Sequence, residues 1–394
     1  MRGDLDILGK NHMIFTLVDL FCGCGGFTAG FLFPPQTNNV KWQVLLGIDK
    51  NHDSVATFQV NFGRKRARQA DLTKLDPNEI LKELGLARGE LDHLHASPPC
   101  EAYSNNNRIN RNIADLRFEV ALEWARAFLP KIITIENVRN LEKAHDMTIQ
   151  GQLEQAGYSV TSFKLDAADF GVPQHRKRLF YLACLRSISN NLEPPCPTHC
   201  DPHAKTDSLK PWVTVCDAIG DLPVRSAGGG PDTFESKLDL TNDNALLHLS
   251  EYAVIMRPVK GTKITEHFAR DLDELALKRL RSLKPGQAIE ALPSSLQPKS
   301  GFRGAYGRLH PDYPAKTITT GIRGPSHGPF CHYSQERLIT FREAARLQSF
   351  FDKFVFCGKR SSVAFQIGNA VPPLLSKAIR LISEQLLLSA RAKA

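Results

Sequence analysis

The stretch "VDLFCGCGGFTAGF", residues 18–31, decides how the rest of the chain is read. An apolar run, "IFTLVDLF" (14–21), leads into it and reads as a buried strand. Gly23, Gly25 and Gly26 then allow a tight turn and close approach of backbone to a ligand, and the segment opens a helix. Such a loop, after the first strand of a parallel sheet, is where nucleotide-like ligands sit. The spacing is not GxGxxG, which disfavours a dinucleotide pyrophosphate.

Working outward, "WQVLLGIDK" (42–50), "HLHAS" (93–97) and "KIITIENV" (131–138) read as further strands. "SVATFQVNFG" (54–63) and "LRFEVALEWARAFL" (116–129) suit helices, the second with Phe118, Leu122, Ala125 and Leu129 on one face. This alternation predicts an α/β fold with a mostly parallel sheet wrapped on both faces. Asp49 closes the second strand, where an acid holds ribose hydroxyls, and Asp71 follows a further strand, placed for an adenine amino group. Either acid alone reads as a solvated loop residue. The glycine loop and both acids in register favour an adenosine ligand. Cys22 and Cys24 read as small packing residues.

The 394 residues suffice for two domains. Lys and Arg total 50 against 41 acids, a charge of +9 that suits a polyanionic partner without requiring one. The nine cysteines are odd in number and irregularly spaced, the chain opens on polar residues, and no apolar run reaches membrane-spanning length. A reducing compartment follows. From 188 to 335 the texture turns rich in Pro, Gly and Ser, as in "PVRSAGGGPDT" (223–233). Periodicity returns at "RLITFREAARLQSF" (337–350), a capped helix starting near Thr340, and in a last helix at 374–393 after "FQIGNAVPP". "CPTHCDPH" offers Cys196, His199, Cys200 and His203 at a spacing that permits zinc, but its two prolines and compactness argue against a metal, and none is expected.

The chemistry-bearing residues sit on segment ends. In "HASPPCEAYSNNN" (95–107), two prolines put Cys100 on a stiff turn, unlike the usual buried thiol. A thiolate is the nucleophilic form, and a free thiol has a pKa of about 8.5 unless a positive field lowers it. Glu136 ends an apolar strand among Ile133, Ile135 and Val138, surroundings that raise a carboxyl's pKa and suit an acid near neutrality. In "FGVPQHRKRLFYLACL" (170–185), Arg176 and Arg178 alternate on one face at a strand's polar mouth, where guanidiniums suit a carbonyl or phosphate oxygen.

Taken together, "DLFCGCGGF", "SPPC", "ENV", "QHRKR", "RLITFREAARLQSF" and "QIGNAVPP", in that order, resemble the motifs of the DNA (cytosine-5)-methyltransferase family over nearly the whole chain. The resemblance implies a Rossmann-like S-adenosylmethionine-dependent methyltransferase sheet plus a smaller irregular target-recognition domain. The implied boundaries are 1–187 for the cofactor-binding catalytic domain, 188–362 for target recognition, and 363–394 for a C-terminal segment returning to the first domain. It implies Cys100 as nucleophile toward cytosine C6, Glu136 at N3, and Arg178 with Arg176 at O2. S-adenosylmethionine is the implied cofactor, held by Asp19, Phe21, Gly23, Gly25, Gly26, Asp49, Asp71, Pro98, Asn369 and Val371. Double-stranded DNA is the implied partner, bound by a monomer in a prokaryotic or phage-host cytoplasm, its cytosine flipped from the duplex. In the variable region Arg303, Arg308, Arg323, Phe302 and Tyr306 suit groove-probing loops. A cytosine-5 methyltransferase of RNA is the alternative. Two positions depart from the family pattern: Glu101 stands where Gln is usual, and Asp49 where Glu is usual.

Overall fold

Seven strands form one sheet: β1 (Met13–Leu20), β2 (Val40–Asp49), β3 (Ala67–Gln69), β4 (His93–Ala96), β5 (Ile132–Val138), β6 (Tyr158–Asp166) and β7 (Lys177–Leu185), in the order β3-β2-β1-β4-β5-β7-β6. The computed structural model describes residues 12–32, 40–99, 111–138, 142–204, 208–236, 249–257, 260–298 and 304–393; Cys100, Glu101, Phe302 and Arg303 lie outside them. β1 to β5 run parallel, whereas β7 pairs antiparallel with both β5 and β6. A parallel pair needs a crossover of a dozen or more residues, usually a helix. The link 167–176 is too short for one, so β7 turns back beside β6. Strand order reverses between β1 and β4, which opens a crevice at their carboxyl ends.

Both faces of the sheet are covered, which is why its strands read as continuous apolar runs. In β7, Leu179, Tyr181 and Ala183 pack on one face and Phe180, Leu182 and Cys184 on the other, the period of two that a strand imposes. α3 (Pro77–Glu83), α4 (Arg111–Phe128) and α5 (Glu142–Gln155) supply residues to the first face, α4 through the expected Phe118, Leu122 and Ala125. The second face is packed by α1 (Gly26–Phe31), by Phe58 of α2 (His52–Phe62) and by the C-terminal helix.

Residues 215–356 build another apolar cluster from little regular structure. Its helices are α6 (Val215–Ile219), α7 (Glu251–Met256), α8 (Glu274–Arg281) and α9 (Phe341–Leu347), with α10 (Arg360–Asn369) packed against it. α9 starts at Thr340 as the sequence predicts, through a capping box in which Thr340 and Glu343 satisfy each other's backbone N–H. Irregular backbone leaves carbonyls in need of donors, and a guanidinium carries five. Buried arginines fill that need. Arg342 donates to the carbonyls of Thr265, Phe351 and Phe354. Arg308, expected to probe a groove, is instead buried and donates to the carbonyls of Leu280, His332 and Gln335. Tyr306, expected to do the same, carries the Arg279 guanidinium over its ring. Arg323 is exposed.

α11 (Pro373–Lys393) brings the chain's end back to its start. Ser376 Oγ donates to the Phe27 carbonyl at 2.6 Å, and Trp42 Nε1–H donates to Glu384 at 2.8 Å. No helix among the described residues is long and apolar enough to cross a membrane.

Candidate functional site

The carboxyl ends of β2, β1, β4 and β5, with the start of β7, line one edge of the sheet and present most of the predicted residues in that order. After β1 the chain turns sharply. Phe21, Gly23 and Gly25 all take positive φ, and Gly25, left-handed, sits just before α1. A Cβ on Gly23 would meet nothing within 4 Å, so its backbone faces open space. A Cβ on Gly26 would lie 2.5 Å from the Val371 carbonyl, so this position must be glycine for Val371 to close on the loop. Val371 is buried there, while Asn369, which ends α10, is exposed.

Asp49 is welded to the loop. Its Oδ2 accepts the Gly23 N–H at 2.9 Å and its Oδ1 the Asn51 N–H at 2.8 Å. Burial pushes its carboxyl above the ordinary value. Asp19 is fully buried; Oδ2 accepts the Thr28 hydroxyl at 2.6 Å, and Oδ1 has no hydrogen-bond partner among the described residues. Burial, with Asp49's charge adding to it against the Thr28 bond, lifts this carboxyl from 3.8 to about 7. Asp71 stands apart, exposed beyond β3, accepting from the Thr73 hydroxyl at 2.8 Å, which holds its carboxyl low.

The raised Asp19 value gives a signed prediction. The native state keeps its proton to higher pH than the unfolded chain, so wild-type stability falls as pH rises from 3.8 to about 7. Asp19→Asn carries no such charge. Thermal unfolding of ligand-free protein is expected to show the variant's advantage growing across that window and constant above it. A constant difference throughout would show that Asp19 does not titrate there.

The segment after β4 is anchored on three sides. The Ser97 N–H donates to the Leu20 carbonyl, Asn137 Nδ2 donates to the Pro98 carbonyl at 2.9 Å, and Arg117 reaches the Pro99 carbonyl at 3.4 Å. Asn137 was not singled out in the sequence, although it lies inside "ENV", next to Glu136. Glu136 is 8% exposed but not in the wholly apolar surroundings expected, because Arg178 Nε lies 2.9 Å from its Oε1. The β5–β7 register pairs Glu136 with Phe180, which puts Arg178 on the diagonal two residues away, within reach of a long side chain.

The two arginines do not share a task. Arg176 precedes β7, is 2% exposed, and donates to the Ile318 and Gly368 carbonyls, both at 3.0 Å. It joins the irregular region to the "QIGNAV" segment. Gln174 works beside it, accepting the Ile318 N–H and donating to the Leu347 carbonyl. No sequence signal distinguished Arg176 from Arg178, since the partners of Arg176 are backbone carbonyls from distant segments.

A family model described as C-5 cytosine-specific DNA methylase matches residues 15–382. The chain is 32% identical to the type II methyltransferase M1.HphI of Haemophilus parahaemolyticus, over 93% of this chain and 86% of that protein. It is 29% identical to the type II methyltransferase M.AgeI of Thalassovita gelatinovora, over 92% and 97%. Among solved structures, a protein assigned as a prophage-encoded DNA modification methyltransferase (E. coli) superposes with a TM-score of 0.70, covering 95% of this chain and 99% of that one. At 22% identity this last likeness speaks for the fold.

Proposed function

This chain belongs to the C-5 cytosine-specific DNA methylase family, and on that premise we propose that it methylates C5 of a cytosine flipped out of duplex DNA, in a sequence-specific manner, through a covalent bond from Cys100 to C6. The observation that carries the reading is the Glu136–Arg178 pair at the edge of β5 and β7, next to the anchored Pro98 that leads into Cys100.

Cytosine C5 is a weak carbon nucleophile. Adding the Cys100 thiolate to C6 while N3 gains a proton turns the ring into an enamine, whose C5 is nucleophilic. Glu136 handles the N3 proton. Arg178 holds Glu136 in place and offers its remaining donors to O2, where negative charge develops. Once C5 carries the methyl group, loss of its proton to a base expels Cys100 and restores the aromatic ring. Flipping costs a few kcal/mol of unstacking, offset by contacts to the DNA backbone, which the chain's net charge of +9 favours.

The glycine loop fits S-adenosylmethionine: the open face of Gly23 accepts a close ligand, and the buried Asp19 Oδ1 awaits a donor. Bound there, S-adenosylmethionine supplies the electrophilic methyl group. Gly23, Gly25, Gly26, Phe21, Asp19, Asp49 and Val371 would hold it, with Asp71, Pro98 and Asn369 at the margin. The irregular region from 188 to 362 would read the target, while Arg176 keeps it docked beside the reacting edge. As the type II names of its relatives suggest, the methylation would be of the restriction–modification kind; the proposal places it in a prokaryotic or phage-host cytoplasm, carried out by a monomer.

Incubation with methyl-labelled S-adenosylmethionine and mixed-sequence duplex DNA, followed by nucleoside analysis, is expected to yield 5-methylcytosine at a fixed sequence. Label on cytosine N4 or adenine N6 would overturn the reading. Transfer to transfer RNA but not to DNA would favour the RNA alternative. Glu136→Gln keeps the shape but cannot pass a proton. It is expected to lower kcat by about 10²-fold with cofactor affinity unchanged, measured at saturating DNA.

A further inference from the structure

A chain of side-chain hydrogen bonds runs under this edge, from the C-terminal helix to the residue that starts the Cys100 segment. Ser383 Oγ lies 3.1 Å from His93 Nδ1, and His93 Nε2 lies 2.8 Å from Thr134 Oγ1. Thr134 Oγ1 lies 2.8 Å from His95 Nδ1, and His95 Nε2 lies 2.8 Å from Ser97 Oγ. Ser383, His93, Thr134 and His95 are all fully buried.

The chain has a fixed sense. Ser383 Oγ donates its proton to the Ile379 carbonyl at 3.0 Å, and a carbonyl can only accept. Ser383 must therefore accept from His93 Nδ1–H. A neutral imidazole has one donor and one acceptor, so His93 Nε2 accepts from the Thr134 hydroxyl. Thr134 in turn accepts from His95 Nδ1–H, and His95 Nε2 accepts from the Ser97 hydroxyl. Both rings stay neutral, since burial pushes His93 down to about 3 and His95 well below its ordinary value.

His95 also faces the cofactor loop. Its ring stacks on Phe27 of α1, with centroids 3.3 Å apart and planes 2° from parallel. Phe27 immediately follows Gly26. One imidazole therefore touches the helix that opens from the glycine loop and holds the hydroxyl three residues before Cys100. With its proton drawn inward, Ser97 Oγ offers only lone pairs outward. Pro98 and Pro99 have no amide hydrogen, so the next backbone N–H along the chain is that of Cys100.

We infer that His95 is a positioning residue for methyl transfer, fixing through Ser97 the segment that presents Cys100 and coupling it to the cofactor loop. The inference rests on the methyl-transfer reading above. The reaction is sensitive to small displacements of the nucleophile, and a shift on the order of 1 Å costs about 10²-fold. A role through the segment, not on the reacting atoms, is expected to fall on kcat.

The test is a double-mutant cycle with a rescue arm, using the full chain, S-adenosylmethionine and duplex DNA. Ser97→Ala removes one hydroxyl from a half-buried position and leaves the fold's backbone bonds in place. It is expected to lower kcat about 10-fold with KM for S-adenosylmethionine and the melting temperature unchanged. Ser97→Thr, which keeps the hydroxyl, is expected to recover most of the loss. His95→Phe keeps a ring against Phe27 but drops both hydrogen bonds. In the Ser97→Ala background it is expected to cost little more, because both act through one contact. Wild-type kcat in Ser97→Ala, a loss that Ser97→Thr does not recover, or losses that multiply in the double variant would overturn the inference. A wild-type protein that transfers no methyl group to DNA overturns the functional reading and this inference together. A competent wild type with indifferent variants overturns the inference alone.

Discussion

Cys100→Ala is expected to reduce methyl transfer by about 10⁴-fold or more while leaving S-adenosylmethionine binding intact. Without the thiolate, C6 receives no nucleophile and C5 never gains enamine character, so the remaining groups have no activated ring to stabilise. In the proposed mechanism Glu136 and Arg178 would act on charge that appears only as C6 is attacked, and their contributions would vanish with it. Cofactor binding should survive because Asp19, Asp49 and Gly23 are positioned by β1 and β2. The hydrogen bond that the Ser97 N–H donates to the Leu20 carbonyl is backbone and does not depend on the cysteine. Single-turnover transfer of a labelled methyl group, with calorimetry of cofactor binding, separates the two effects. Substantial turnover in the variant would remove Cys100 from the nucleophile role.

Arg346→Leu is expected to destabilise the protein by about 3–5 kcal/mol at neutral pH, measured by denaturant unfolding. Arg346 is fully buried. It grips Asp352 through two bonds of 2.7 and 2.6 Å and reaches Asp221 at 2.8 Å. Its removal leaves Asp352 buried without its ion-pair partner, while Asp221 keeps Arg257 at 2.6 Å. Uncompensated buried charge, not the lost attraction, makes the cost large. Burial pushes the Asp221 carboxyl up, but Arg346 and Arg257 outweigh it and hold it below 3.8. A carboxyl depressed in this way contributes stability above its unfolded value and loses it as pH falls through the folded one. The deficit of Arg346→Leu is therefore expected to be greatest near neutrality and to shrink as pH falls below 3.8, where a protonated Asp221 no longer needs the guanidinium. A deficit independent of pH would mean that only packing was lost.

The sheet was largely legible because its signals are local. β1, β2 and β5 announce themselves as apolar β-branched runs, and α9 through the spacing of Thr340 and Glu343. The direction of β7 was not legible, since no residue pattern separates a parallel from an antiparallel strand buried on both faces. The partners of buried arginines are not legible for a related reason. Arg337, Arg342 and Arg346 in "RLITFREAARLQSF" are all three buried. Their partners are Glu343, Asp352, Asp221 and carbonyls near 265 and 351–354, brought in by tertiary folding. Arg176 and Arg308 follow the same logic. Glu136 shows the converse: its sequence neighbours are apolar, but the next strand supplies the charge that faces it.

The most direct test of the covalent mechanism uses duplex DNA carrying 5-fluorocytosine in place of cytosine. Addition to C6 and methylation at C5 can proceed, but fluorine cannot leave as a proton, so elimination is blocked. Incubation with S-adenosylmethionine is predicted to give a protein–DNA complex that resists denaturation, whose proteolytic fragments carry the nucleotide on Cys100. Methylation of ordinary DNA without any such complex on the fluorinated duplex, or attachment at another residue, would contradict the account.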